Sequence, residues 1–263
     1  MGQQSVGGGG DLHPIEAQTL VDHALANELR AVHDTSHPMR YELHKTSPRL
    51  TSTKEIFETK DGEVARLTAI GDKPLSADDE QKELDRLNGL LADPGMQRHR
   101  KLAEDADADR ALKVLRALPA AFLYQYAGTG EGPAGKVEKF TFRPNLSFSP
   151  PDLDTDILTE MTGEIWIEPA QERVVKLEGH LQQDVDFGWG ILGRLNKGGW
   201  IALEQAEIGG GVWHLVRFQM AMSGRVFFMA RVFDTTEEET KFEPLPASLT
   251  YRKAIEMLRG ESK

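Results

Sequence analysis

The chain contains no cysteine. Disulfides, thiolate zinc sites, iron–sulfur clusters and cysteine nucleophiles are therefore excluded together. Long apolar runs are missing as well, and none approaches the ~20 residues that a membrane-spanning helix needs. Basic runs are also absent. The 31 Lys and Arg residues face 42 Asp and Glu, a formal net charge of −11. That balance argues against nucleic acid as a partner, because phosphate contacts require a basic patch. The opening "MGQQSVGGGGDLHP" has neither the basic start nor the apolar core of a signal peptide. Residues 1–13 are expected to be a flexible leader.

What is present reads as a sequence of elements. Val21, Leu25, Leu29 and Val32, with Leu20 and Ala24 beside them, form one apolar stripe of a helix starting near Pro14. From Met39 to Ile70 the pattern changes to strands, with Asp61-Gly62 as a hairpin turn supplying positive φ angles. Helix returns over about 76–118. Ser76 and Asp79 form a capping pair, Leu84, Leu87 and Leu91 share a face, and Pro94-Gly95 breaks the segment. The later part, "AEDADADR", predicts a helix with most of its circumference in water. From Ala121 to Phe242 nearly everything alternates as antiparallel strand, and a short helix at Tyr251–Leu258 closes the chain. This order predicts an α+β fold with one curved antiparallel sheet. Residues 14–263 are expected to be a single domain carrying the helical insert.

The chemical motifs fail on context. Gly188, Gly190 and Gly193 in "FGWGILGRLNKGGW" have G-x-G-x-x-G spacing. A dinucleotide fingerprint needs a helix after the last glycine, and Gly198-Gly199 leaves barely one turn for it. The acidic triplets Asp105/Asp107/Asp109 and Asp152/Asp154/Asp156 lack the glycine and glutamate of a calcium loop. His180 and His214 read as surface or satisfied histidines, and "DTTEEET" (234–240) as a charged loop. No G-x-S-x-G elbow and no phosphate-binding loop occurs. The sequence therefore leads us to expect no cofactor, no metal and no catalytic residue.

One apolar signal is left. "VRFQMAMSGRVFFMARVF" alternates Val216, Phe218, Met220 and Met222 on one strand face, then Val226, Phe228, Ala230 and Val232 on the next, with Met222–Arg225 as the turn. On this reading Arg217 and Arg231 point away from the apolar face. Methionine-rich surfaces adapt to flexible apolar ligands. The candidate cavity lining is Leu177, Phe218, Met220, Met222 and Phe228. Trp189, Ile191, Leu192 and Trp200 are candidates for a cavity mouth.

The early helix with its hairpins carries a resemblance, together with "KDGEVARLTAIGDKPLSADDEQKELDRL" (Lys60–Leu87), "MTGEIWIEPAQERVVKLEGHL" (Met161–Leu181) and "FGWGILGRLNKGGW" (Phe187–Trp200). In this order the chain resembles the lipoprotein-carrier (LolA/LolB-like) superfamily of bacterial cell envelopes, in an uncharacterised branch. The resemblance implies a half-open, strongly curved antiparallel sheet with helices over its concave side. It also implies an apolar cavity for acyl chains or an apolar partner segment, and a periplasmic or envelope location, with the cytoplasm as the alternative. Three readings follow. The first is a non-enzymatic binder of lipid or a lipidated protein. The second is an interaction or sensor module with a filled sheet core. The third is a cofactor-free enzyme, whose sign would be His, Glu or Arg side chains converging in the cleft.

Overall fold

The computed structural model describes residues 14–32, 34–133, 135–187, 193–226 and 229–260. The chain opens with helix α1 (Pro14–Ala31). Four strands follow: β1 (Met39–Thr46), β2 (Thr51–Phe57), β3 (Val64–Ile70) and β4 (Lys73–Pro74). Helices α2 (Ala77–Ala92) and α3 (Pro94–Ala121) come next. A meander then runs through β5 (Phe122–Gly132), β6 (Gly135–Pro144), β7 (Met161–Glu168), β8 (Arg173–Leu181), β9 (Val185–Phe187), β10 (Gly193–Leu195), β11 (Trp200–Gly209), β12 (Val212–Val226) and β13 (Met229–Pro244). Helix α4 (Tyr251–Leu258) ends it.

All strand pairs are antiparallel, in the order β4-β3-β2-β1-β13-β12-β11-β8-β7-β6-β5, with β10 on β12 and β9 on β10. The sheet stays open, because β4 and β5 end it without pairing. The fold is α+β with a curved open sheet, as the element order predicts. Ser76 caps α2 by accepting from the Asp79 backbone N–H.

Curvature has a residue-level cause. Gly163 and Gly179 face each other across β7 and β8. A Cβ at Gly163 would overlap the carbonyl oxygen of Glu178, and one at Gly179 would press on the Met161 sulfur. Only glycine permits this close approach. The main core lies beside the pair, where α1 and the end of α3 pack over Phe140, Phe142, Ile165 and Ile167. A second core joins α2 and α4 to Phe57 and Val64.

Several local expectations are corrected. The buried line of α1 runs Ala17, Val21, Ala24, Leu25 and Glu28, while Val32 lies past the helix end and is exposed. A glutamate occupies that stripe because Arg173 grips both its oxygens at 2.8 and 3.0 Å, and the Val174 N–H donates to it at 3.0 Å. The β2–β3 connection is a six-residue loop in which Gly62 has positive φ (107°) and Asp61 does not. The ladder slips between Trp166 and Ile167, which sends Val174 to the main core and Val175 to a small cluster with Val137 and Trp213. The segment 234–240 is strand, part of β13, and its Glu237, Glu238 and Glu239 are matched by Lys45, Arg217 and His214 on neighbouring strands. Cross-strand charge pairs offset the poor strand propensity of glutamate.

The β12–β13 turn also lies later than expected. β12 continues through Gly224 to Val226, which pairs with Met229. Met222 then faces Phe233, and Gly224 faces Arg231. Directly opposed residues share a sheet face, so Arg231 belongs to the methionine face and Val232 to the other. Shifting the turn reversed the parity of β13.

Candidate functional site

Two concave regions stand out, one apolar and one acidic. The apolar one grows from the register of the central strands. Leu177, Leu203 and Phe218 form one row across β8, β11 and β12. Ile201 and Met220 form the next row, and Met222 with Phe233 the one beyond. The close helix packing among the described residues falls on β3, β5, β7 and β8, so these central rows are only partly covered. Ile201, Leu203, Phe218 and Met220 are half-buried.

At the tip of this face lies a groove of about 390 Å³, lined by Phe187, Leu195, Met220, Met222, Val226 and Phe233 together with Arg194, Arg225 and Arg231. The exposed apolar residues Val226, Met229, Val232 and Phe233 cluster on the same hairpin end. Val226, Met229 and Phe233 share the methionine face, and Val232 lies on the other.

The sequence candidates distribute unevenly over this surface. Leu177, Phe218, Met220 and Met222 come together on one sheet face, and the last two line the groove. Trp200 opens β11 opposite His180 and Ala221, on the face away from its neighbour Ile201. Its ring lies 6.5 Å from that of His180. Phe228, Trp189, Ile191 and Leu192 lie outside the described residues. Gly193 of the glycine motif opens strand β10, not a helix, so no helix N-terminus faces a phosphate there. Asp152 and Asp154 flank Lys113 Nζ at 3.6 and 3.1 Å.

The second region is a cleft of about 680 Å³ between the end of α1, the β2–β3 loop, the middle of α3 and the β11–β12 turn. Glu58, Glu63, Glu104, Asp105 and Asp107 line it together with His214 and Arg173. The His214 ring is held between Tyr41 and Phe242, with centroids 5.0 and 4.7 Å away. Its Nε2 lies 3.1 Å from Glu58 Oε1 and its Nδ1 lies 2.9 Å from Glu239 Oε2. Burial alone would lower its pKa, but Glu239 and Glu58 outweigh burial and push it up to about 10. His214 is thus a clamped cation at neutral pH and cannot take a proton from anything entering the cleft. Glu63 behaves differently. Its side chain is solvent-accessible, yet it sits within the concave wall. Enclosure there, followed by the charges of Glu58 and Glu104, pushes its carboxyl up to about 7. It can exchange a proton near neutrality.

Sequence reading missed this cleft. The acids of the cleft and of the His214 pair include residues 58, 63, 104 and 239, and no local spacing links them to position 214. Only the antiparallel ladders bring them together.

A curved open antiparallel sheet with helices on it and an apolar groove among its central strands defines the class of this protein. The chain matches no known family model and no curated protein. Among solved structures it is similar to a crystal structure described as an outer membrane lipoprotein-sorting protein domain from Vibrio parahaemolyticus. That similarity covers 95% of this chain and 100% of the other, at a TM-score of 0.35 and 9% sequence identity. No described helix is long and apolar enough to cross a membrane.

Proposed function

We propose that this chain is a non-enzymatic cell-envelope protein that binds an apolar ligand on the concave side of its sheet. The ligand is a lipid, an acyl chain or a lipidated partner, held along Leu177, Phe218, Met220 and Met222. The observation that carries this reading is the groove of about 390 Å³ at the tip of the methionine face. Its volume lies in the range of small-molecule sites, and Phe187, Leu195, Met220, Met222, Val226 and Phe233 give it an apolar floor. The proposal takes residues 14–263 as one binding domain. In support, β1 and β13, from distant parts of the chain, are hydrogen-bonded neighbours. Residence in the periplasm or envelope belongs to the same proposal. Titration with the neutral dye Nile red, followed by displacement with dodecanol, tests it. Saturable binding and displacement are expected, and a protein that takes up neither molecule would overturn the reading.

A second reading, a cofactor-free acid–base site, is favoured by Glu63, whose carboxyl is pushed up to about 7 inside the larger cleft. A carboxyl near the working pH is what general acid–base chemistry requires. Carbon-detected NMR of the glutamate carboxyls tests this condition. A Glu63 midpoint near 7 keeps the reading open, whereas one in the ordinary carboxylate range removes it.

A further inference from the structure

The groove has one cation on its own face. Arg231 lies two residues from Phe233 on β13, and directly across β12 it meets Gly224, which has no side chain to cover it. Among the described residues Arg231 has no ion pair and no side-chain hydrogen bond. Several arginines are engaged with carboxylates, among them Arg40, Arg66, Arg86, Arg173 and Arg217, and several others are unpaired like Arg231; what sets Arg231 apart is its place beside the apolar floor.

The two other arginines of the groove wall are placed differently. Arg194 is spent internally: its Nε and Nη2 donate to Asp186 at 2.6 and 2.7 Å, and its Nη1 donates to Asp184 at 3.2 Å. Arg225 pairs with Ala230 and Arg194 across the strands, on the opposite face, where it acts on Asp186. The nearest acid on β13, Asp234, faces Ala221 and so also lies on that opposite face. An apolar floor of Met220, Met222 and Phe233 thus ends at a guanidinium with an open hydrogen-bonding fork. That fork matches a carboxylate in shape and charge.

We propose that this groove takes an anionic single-chain amphiphile of the fatty-acid class, its tail on Met220, Met222 and Phe233 and its carboxylate at Arg231. The proposal rests on the apolar-ligand reading above and adds the sign and place of the ligand's head. A neutral alcohol satisfies the floor and leaves the guanidinium hydrated. A cationic amphiphile meets Arg231 as a like charge. Because the head is near water, salt weakens the selectivity without abolishing tail binding.

The test is Nile red displacement by dodecanoate, dodecanol and dodecyltrimethylammonium at mildly alkaline pH and low ionic strength, on the wild-type chain and on Arg231→Gln. Dodecanoate is expected to bind tightest and the ammonium weakest. Arg231→Gln is expected to weaken dodecanoate by about threefold to tenfold and to leave dodecanol within about twofold. Arg231→Lys, which keeps the charge and loses the fork, should fall between. Arg231 is exposed, so the variant should fold, and far-ultraviolet circular dichroism verifies that it does. Dodecanol binding as tightly as dodecanoate would overturn the charge selectivity and leave the apolar reading standing. An unchanged dodecanoate affinity in Arg231→Gln would overturn the role of Arg231. Failure of all three amphiphiles would overturn both readings, as would pelleting with anionic phosphatidylglycerol vesicles in the absence of monomer binding, which would make the tip a membrane-docking surface.

Discussion

The methionine groove and the His214 cleft lie on the same sheet and follow opposite physical rules. In the groove, strand alternation places apolar side chains side by side, and among the described residues the close helix packing falls mainly on other strands. In the cleft, carboxylates from one strand, a loop and a helix surround one imidazolium, which two aromatic rings also hold. The groove has unmet apolar surface, while the centre of the cleft is satisfied internally. An unsatisfied surface calls for an external partner, whereas a clamped ion cluster chiefly holds its own elements together. That contrast is why we place ligand binding at the groove.

The largest expected effect separates the two regions by stability. His214→Gln removes the cation between Glu58 and Glu239 and leaves those buried or half-buried carboxylates facing one another. Breaking such a pair costs about 3 kcal/mol near neutral pH. Because the folded pKa of His214 is raised to about 10 from its ordinary 6.5, its contribution is fully present below about 6.5. The contribution is lost as pH rises through about 10. Denaturant titrations should therefore show the wild type losing stability over that window and the variant changing less, with dye binding equal in both. A variant as stable as the wild type at neutral pH would remove the clamp from the account.

Next in size is Met222→Asp, which places a charge on the groove floor. Nile red affinity is expected to drop by about thirtyfold, the equivalent of ~2 kcal/mol for burying an unpaired polar group. The His214-dependent pH profile should persist. Unchanged dye affinity would show that the dye sits elsewhere. The smallest effect belongs to Glu63→Gln. A carboxyl whose folded pKa is raised to about 7 from 4.5 disfavours the folded state as pH rises from about 4.5 through 7. The variant should lack that shallow decline, which thermal melts across the window can resolve. The effect is modest because Glu63 is solvent-accessible and screened.

The same contrast explains what could be read in the sequence. Leu177, Phe218, Met220 and Met222 were legible because each belongs to a period-two pattern, and such patterns survive as sheet faces. The capping Ser76, the break at Pro94 and the exposed flank of α3 were legible for the same local reason. The parity of β13 was not, because it depends on where one turn falls. Placing the turn at Met222–Arg225 sent Arg231 to the wrong face. His214, Glu58, Glu63 and Glu239 gave no signal, since their meeting depends on the β1–β13 and β12–β13 ladders and not on any local spacing. Glu28 was hidden for a related reason: a glutamate on a buried helix stripe makes sense only once Arg173 faces it.

The most direct test of the groove is methyl NMR on protein carrying ¹³C-labelled methionine methyl groups, titrated with dodecanol. The groove account predicts that the Met220 and Met222 resonances move together and saturably, while those of Met39 and Met257, packed in other clusters, hold still. Shifts confined to Met39 or Met257, or no shift at any methionine, would contradict it.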